Sequence, residues 1–484
     1  MGQRAADIAS TDQCDLFACH EEPQRFLVSK GEECLCLVKS VTPLMGGALL
    51  PCFPTRRKAG FGGRWTVPAL LCEITGMFDV RGISLRSVIA FPMVLAILGT
   101  ADAYAAEPFR IGFVTSITGN AAHRADDFTE GFRLGLRNLG GRLGGLETDL
   151  TLADDQSLAE NAVIAAKRLI ERERVHVISG PVTPETALAV GDAVKGEGPI
   201  FISPAFGPAD LAGAGCRMGF FSLVPSDEGF AEALSNVFIS EAARPLAALV
   251  PGQSDVSRQV ATHFKSFQPD VALYDAEPGQ LAFDGTLSAL RTAKTQGIAV
   301  FQAGGAGVGF LRQLHRWDMK DGKTVLAIWP LLEPAHFSAL GEAGLGVRAI
   351  SPWADDPDNP VNKKFVADFE DEHRRQPSSY AALGYDLALL LDQAIRQQGG
   401  RVGERTQFAR AIAAVQVPGT RGLLRFYNNH FAAAPLFLRE GSRDAKGRLV
   451  AGRKATLAVL PDRHSQACPI SAPEPPAPEP AKKR

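Results

Sequence analysis

Short apolar runs with the composition of β-strands alternate with amphipathic segments along much of the chain. "FRIGFVTSI", which begins at Phe109, predicts a strand, and "ADDFTEGFRLGLRNLG" predicts a helix with one apolar side. Further strands are predicted at "VHVISG" and "PIFISPA", with a helical segment between them. Strand–helix units repeated in this order favour a parallel sheet with helices on both faces. This first stretch therefore predicts a doubly wound α/β unit.

A second series of the same kind begins at "PLAALVPG" and ends at "TVLAIWP". Two long helical segments follow it, "NKKFVADFEDEHRRQ" and "YAALGYDLALLLDQAIRQQG". The pattern closes with a hairpin-like segment that has Asn428-Asn429 as its turn signal. We therefore predict an α/β fold with two doubly wound parallel-sheet lobes.

A leader-like segment precedes the first strand. Arg81 and Arg86 give a positive flank, Val88–Leu98 is apolar, and Ala103-Tyr104-Ala105 supplies the small residues of a cleavage site. The apolar run is shorter than the about 20 residues that a spanning helix needs. We expect residues 77–105 to be a signal peptide cleaved before Ala106, with no membrane insertion afterwards. The alternative is a buried core helix.

The segment before Met77 lacks a sustained helical or strand periodicity. A chain that starts at Met77 would have an ordinary leader, so we interpret residues 1–76 as an extension from a start codon assigned too far upstream.

This segment, residues 1–76, holds six of the eight cysteines, but their spacings match no standard zinc pattern, and no metal site is predicted. The remaining two, Cys216 and Cys468, are either paired or free in an oxidising compartment.

Composition and motifs exclude several classes of function. The net charge of −2 comes without a basic run, so nucleic acid is not an expected partner. No G-x-S-x-G, H-E-x-x-H or P-loop motif is present, and no cofactor is expected. "IAVFQAGGAGVGFLRQL" imitates a dinucleotide-binding turn, but the next strand ends in Trp329-Pro330 where an acid would be needed. The alternative is that these glycines let a helix start tightly above the strand.

Pro, Glu and Ala dominate the end of the chain, which predicts a disordered tail at 461–484.

Taken together, these segments resemble the periplasmic solute-binding proteins of ABC importers, of the leucine/isoleucine/valine-binding (type I) family. The resemblance covers roughly residues 108–455 and rests on "IGFVTSITGNAAHRADDFTEGFRLGLRNLGGRLGG", "ISGPVTPETALAVGDAVKGEGPIFISPA" and "NPVNKKFVADFEDEHRRQPSSYAALGYDLALLLDQAI". It implies a soluble periplasmic protein that is not an enzyme and closes by a hinge around a small ligand. It also implies a membrane permease as partner, and we expect a monomer.

The family's fold implies three crossovers between the lobes, near 222–227, 350–354 and 418–424. The corresponding lobes are expected at 106–224 with 353–421 and at 225–352 with 422–460.

The resemblance also implies positions for the binding site. The family's hydroxyl after the "GP" strand end falls at Thr183, or at Pro184 if the alignment shifts by one. Its small-small-Thr turn corresponds to Ala205, Phe206 and Gly207, where glycine replaces the threonine. Arg124 stands where an aromatic residue lines the cleft.

The second lobe contributes fewer matches. Its tyrosine falls near Val256, and its acid falls near Trp329, reaching Glu333 only with a shift.

These departures favour an organic anion over an α-amino acid, although an amino-acid-like ligand stays open. Phe206 and Trp329 would suit an aromatic acid, with Arg124 as its cation. In the alternatives, Arg124 is solvated, Phe206 packs the lobe and Trp329 caps the sheet. We therefore expect the substrate-binding component of an importer; the alternative is a periplasmic sensor that acts on a signalling partner.

Overall fold

The computed structural model describes residues 107–196, 198–205, 207, 209–252, 258–277, 279–355, 358–457 and 463–470. The predicted extension 1–76 and signal peptide 77–105 lie outside these residues, as do Phe206 and Val256. Among the helices of the described part, none is both long and apolar enough to span a bilayer.

The first sheet has six strands in the order β2-β3-β1-β4-β5-β6. The strands β1, β3, β4, β5 and β6 are parallel, and the short β2 runs antiparallel to β3. The strands of this sheet are β1 Phe109–Thr115, β2 Arg142–Leu143, β3 Leu146–Asp154, β4 Val177–Ser179, β5 Ile200–Ser203 and β6 Phe220–Ser222. The helices between them are α1 Ala122–Asn138, α2 Ala159–Glu171, α3 Pro184–Ala193 and α4 Ala209–Ala212.

The second sheet has seven strands in the order β15-β14-β11-β10-β9-β7-β8. Its central strands are parallel, whereas β14 and β15 are antiparallel additions at one edge. Its strands are β7 Leu246–Pro251, β8 Ala272–Ala276, β9 Gly297–Val300, β10 Thr324–Ile328, β11 Arg348–Ser351, β14 Leu436–Arg443 and β15 Leu449–Leu457. The helices in this region are α5 Asp227–Ser240, α6 Arg258–Phe267, α7 Asp284–Thr292, α8 Gly304–Arg316 and α9 Pro334–Leu340. The prediction of two α/β lobes is confirmed.

The remaining elements return to the first lobe. They are α10 Pro360–His373, α11 Ser379–Gln397, α12 Arg405–Ala413 and the short strand pair β12 Val417–Gly419 and β13 Gly422–Leu424. α11 packs closely on α1 because glycines face the partner helix. A Cβ on Gly131 would lie 1.9 Å from the Ala381 carbonyl oxygen, and one on Gly384 would lie 2.0 Å from that of Phe128. Any larger residue at either position would force the two helices apart.

Hydrogen bonds hold the segment 419–421 to residues near the first two crossovers between the sheets. The Arg421 guanidinium donates to the Asp386 carboxylate at 2.9 Å and to the Leu223 carbonyl at 2.8 Å. Asn359 Nδ2 donates to the carbonyls of Gly419 and Thr420 at 2.9 and 3.1 Å. The segment 419–421 is therefore tied to the first crossover at Leu223, to α11 at Asp386 and to the start of α10 at Asn359.

After the third expected crossover, near 418–424, the chain reaches the second sheet only at Leu436, where β14 begins. Before it, Phe431 forms an isolated bridge with Ser222 and packs into the apolar cluster of the first lobe. We therefore propose lobe 1 as 107–222 with 353–434 and lobe 2 as 227–351 with 436–457. The final boundary moves from the expected 421 to about 434.

Residues 463–470 correct the expectation that the whole of 461–484 is a disordered tail. Cys468 forms a disulfide with Cys216, which lies between α4 and β6 of the first lobe. Arg463 Nε donates to Glu232 on α5 at 2.9 Å, and its guanidinium lies 4.8 Å from the centre of the Phe267 ring on α6. The covalent link and these contacts hold the segment across both lobes. Residues 471–484 lie outside the described part.

Replacing Cys216 by serine is expected to lower the free energy of unfolding by about 2–4 kcal/mol, because the disulfide closes a long loop in the unfolded chain. The two cysteines are 252 residues apart. Urea unfolding of the oxidised variant and wild type measures the difference. Cys468→Ser and reduced wild type should give the same loss; a Cys216→Ser protein as stable as the oxidised wild type would contradict it.

Candidate functional site

Two adjoining cavities lie where the lobes face each other. The outer cleft has a volume of about 690 Å³ and is lined by residues of α1, α3 and neighbouring loops of lobe 1 and by strand ends and helix starts of lobe 2. The inner pocket, of about 50 Å³, lies beside it. Four residues line both cavities: Arg124, Pro184, Ala303 and Pro330. The arrangement follows the rule that open α/β sheets bind ligands beyond the carboxyl ends of their strands.

Arg124 lies in the first turn of α1 and is half-buried between the two cavities. Its guanidinium hydrogen-bonds the Tyr380 hydroxyl, and its Nε is buried without a partner. A guanidinium keeps its charge when it is partly desolvated, and its fork of donors matches a carboxylate. The alternative in which Arg124 is exposed and solvated does not hold, because the side chain is half-buried.

Thr183 and Pro184 start α3 at the wall of the outer cleft. The Thr186 amide donates to Thr183 Oγ1 at 3.3 Å, so this hydroxyl caps the helix. Pro184 occupies the first helical position, where its missing N–H costs no hydrogen bond. The start of α3 therefore presents the positive end of a helix dipole to the cleft.

The inner pocket is lined mainly by apolar and aromatic side chains from both lobes. Trp329, just after β10, stacks on Tyr380 of α11 with ring centroids 4.7 Å apart and an interplanar angle of 26°. Both rings are almost fully buried. Ala205 of lobe 1 and Phe301 of lobe 2 also line the inner pocket. The pocket is therefore a small apolar and aromatic extension of the outer cleft.

The glycine-rich turn before α8 borders the outer cleft. Gly304 begins α8 with a φ of +62°, a left-handed conformation that favours glycine. Gly304 and Gly305 line the cleft together with Gln302, which follows β9. The interpretation that these glycines let a helix start tightly above a strand end agrees with this geometry.

Two histidines from opposite lobes meet beside Arg124. The rings of His123 on α1 and His336 on α9 lie 5.4 Å apart, edge to face. Burial lowers the pKa of His123 to about 4, with further lowering by Arg124 and His336. Burial and then Arg124 also lower the pKa of His336. Both rings are therefore uncharged at neutral pH.

Two residues suggested by the sequence lie elsewhere. Gly207 forms a bridge with Ser226 and packs against Phe431, and it lines neither cavity. Glu333 is buried in an ion pair with Arg439 at 3.1 Å and accepts a hydrogen bond from the Ser379 amide at 3.2 Å. Glu333 thus joins lobe 2 to the start of α11, where it cannot serve a ligand ammonium.

Sequence reasoning did not assign His123, Gln302, His336 or Tyr380 to the site. A signal existed for Tyr380, since it follows the proline-containing turn that supported the family resemblance. Gln302 directly precedes the glycine-rich turn. The histidines gave no signal, because their pairing depends on how the two lobes face each other.

One group of possible metal ligands occurs in the described part of the chain, away from the cleft. Glu130, Glu372 and His373 bring ligand atoms within 4.8 Å of one another. The two glutamates already pair with Arg133 and Arg137, respectively. Each of these carboxylates therefore already has a positively charged partner.

A family profile, but no curated protein sequence, matches this chain. A sequence profile described as periplasmic binding protein matches residues 108–447. No curated protein sequence matches the chain.

Three solved structures illustrate the similarity of fold. An ABC transporter solute-binding protein from R. palustris in complex with benzoate is 24% identical, with a TM-score of 0.65, and the match covers 73% of this chain and 98% of that one. A solute-binding protein from Rhodopseudomonas palustris BisB5 in complex with 3,4-dihydroxybenzoic acid is 20% identical, with a TM-score of 0.64 and coverages of 74% and 99%. The leucine-binding protein LivK from Thermotoga maritima is 21% identical, with a TM-score of 0.64 and coverages of 72% and 98%.

The profile match spans most of both lobes, and the three structures share this fold with TM-scores of 0.64–0.65. The chain therefore belongs to the family of periplasmic binding proteins, and its fold is that of the leucine-binding protein LivK.

Proposed function

We propose that this protein is the solute-binding component of an ABC importer and that its ligand is an organic acid bound as an anion between the lobes. The observation that carries the proposal is the Arg124 guanidinium, which borders both cavities and keeps a buried Nε without a protein partner. A carboxylate at this point would complete the hydrogen bonding of the guanidinium.

The body of the ligand is proposed to be apolar and preferably aromatic. Trp329 and Tyr380 offer stacked rings beside Arg124, and Phe301 adds a third aromatic wall. The inner pocket has a volume of only about 50 Å³, so the ring would enter it from the larger outer cleft as the lobes adjust. Two structural neighbours that are crystallised with aromatic acids support this class.

An α-amino acid fits the residues less well. Its ammonium would need an acid from the second lobe, but Glu333 is occupied by Arg439 and Ser379. Its carboxylate would normally use a threonine hydroxyl where this chain has Gly207. These two departures favour an acid without an amino group.

The proposal also places the protein in the periplasm, exported by the signal peptide at 77–105, as a monomer that presents its closed lobes to a membrane permease. Hinge closure around the ligand would bend the crossovers between the lobes, the first of which is held by a hydrogen bond from Arg421 to the Leu223 carbonyl. The ligand proposal can be tested without the permease.

Calorimetric titration of the purified mature protein with benzoate, 4-hydroxybenzoate, leucine and isoleucine tests the ligand class. We expect at least one aromatic acid to bind at least about tenfold more tightly than either amino acid, since only the acids satisfy Arg124 without needing a second-lobe carboxylate. Tighter binding of leucine or isoleucine would contradict the proposal. A thermal-shift screen is an independent check, because bound ligand raises stability by about 2.7 kcal/mol at a hundred times its Kd.

A further inference from the structure

Three side chains around the outer cleft carry buried polar atoms that have no hydrogen-bond partner. They are His123 Nε2, Arg124 Nε and Gln302 Oε1. A buried polar atom without a partner loses its hydrogen bonds to water on folding, so folded proteins retain few of them. All three side chains line the cleft, where a bound solute can supply the missing partner. These atoms therefore indicate which polar groups the ligand carries.

The charges around the cleft indicate one anionic group. Arg124 is positively charged, whereas His123 and His336 are uncharged at neutral pH because burial and Arg124 lower the pKa of both rings. Glu185 adds an acidic side chain to the same cleft. A second carboxylate on the ligand would therefore find no full positive charge among the described lining residues.

Gln302 indicates a different second group. Its Nε2 donates to the Ala303 carbonyl at 3.4 Å, which leaves Oε1 as the unsatisfied acceptor. An amide oxygen needs a hydrogen-bond donor, and an ionised carboxylate has none. A hydroxyl group supplies the donor without adding a charge. Gln302 lies next to Ala303, which lines both cavities, so the hydroxyl would lie within the same ligand site.

We propose that the cleft selects an organic acid with one carboxylate and a separate hydroxyl group, the carboxylate bound by Arg124 and the hydroxyl donating to Gln302 Oε1. This inference rests on the proposed function and makes Gln302 a specificity-determining residue. An acid without the hydroxyl leaves Oε1 buried and unpaired. Sites built to bind a hydroxyl discriminate strongly against analogues that lack it.

The test compares two pairs of acids that differ by one hydroxyl: benzoate with 4-hydroxybenzoate, and hexanoate with 6-hydroxyhexanoate. Wild type should bind the hydroxylated member of at least one pair about tenfold more tightly or better, as measured by calorimetry. Gln302→Met keeps the length of the side chain but removes the amide oxygen. It should reduce the preference to about threefold or less by weakening the hydroxy acid alone. Gln259→Met, at an exposed position on α6, is the matched control.

Two results would overturn the inference while leaving the proposed function intact. One is equal affinity, within about threefold, for both members of every pair that binds. The other is a Gln302→Met protein that keeps the wild-type preference. If none of the four acids binds wild type, the proposed function itself fails, and the hydroxyl selection fails with it.

Discussion

Replacing Asp386 by alanine is expected to lower the free energy of unfolding by about 3–5 kcal/mol, because it leaves a buried guanidinium without its counter-charge. The Asp386 side chain is 0% exposed and that of its partner Arg421 is 2% exposed. Asp386 Oδ1 also accepts the Thr420 amide at 2.7 Å, so the substitution removes the two hydrogen bonds that hold residues 420–421 to α11. Because both side chains are buried, water cannot replace these hydrogen bonds.

Chemical denaturation followed by circular dichroism measures this loss. Asp371→Ala is the matched control, because Asp371 also pairs with an arginine, Arg374, but both side chains are about 80% exposed or more. Exposed ion pairs contribute about 0–1 kcal/mol, so this control should unfold almost like wild type. The double variant Asp386→Leu/Arg421→Met should recover much of the lost stability, since replacing a whole buried pair by apolar residues is often neutral. Similar stabilities for Asp386→Ala and Asp371→Ala would show that the buried pair contributes little to the stability of the fold.

Much of the fold follows from local sequence patterns. Runs such as "FRIGFVTSI" and "PIFISPA" became parallel strands because their apolar residues are buried on both faces of a covered sheet. The end of the chain was harder to predict. The turn at Asn428-Asn429 is present, with an antiparallel bridge between Phe426 and Ala432, but the long hairpin is β14–β15 further along. The apolar residues around this turn pack on lobe 1 instead of extending the second sheet.

The candidate site was predictable only where one segment supplies both position and chemistry. Arg124 and Thr183 lie at the starts of helices that follow strands, so their placement near the cleft could be inferred from the order of elements. Glu333 could not be judged in this way, because its partner Arg439 lies 106 residues later in the chain. The contact between His123 and His336 likewise depends on two lobes that close on each other.

Replacing Arg124 by alanine is expected to weaken an organic-acid ligand by at least about thirtyfold, with little change in fold stability. Loss of one partner from a buried, hydrogen-bonded charge pair costs about 2–5 kcal/mol of binding free energy. Arg124 is half-buried and hydrogen-bonds the Tyr380 hydroxyl within the protein. Its loss should therefore affect ligand affinity far more than the free energy of unfolding. Arg124→Lys should recover only part of the affinity, because an ammonium lacks the two-pronged match to a carboxylate.

Calorimetric titration of wild type, Arg124→Ala and Arg133→Ala with the tightest organic acid of the panel tests the central claim most directly. Arg133 lies on the same helix, pairs with Glu130 and is 42% exposed. If Arg124 holds the ligand's carboxylate between the lobes, Arg133→Ala binds like wild type, while Arg124→Ala loses at least about thirtyfold. An Arg124→Ala protein that unfolds normally and binds the acid within about threefold of wild type would contradict the account.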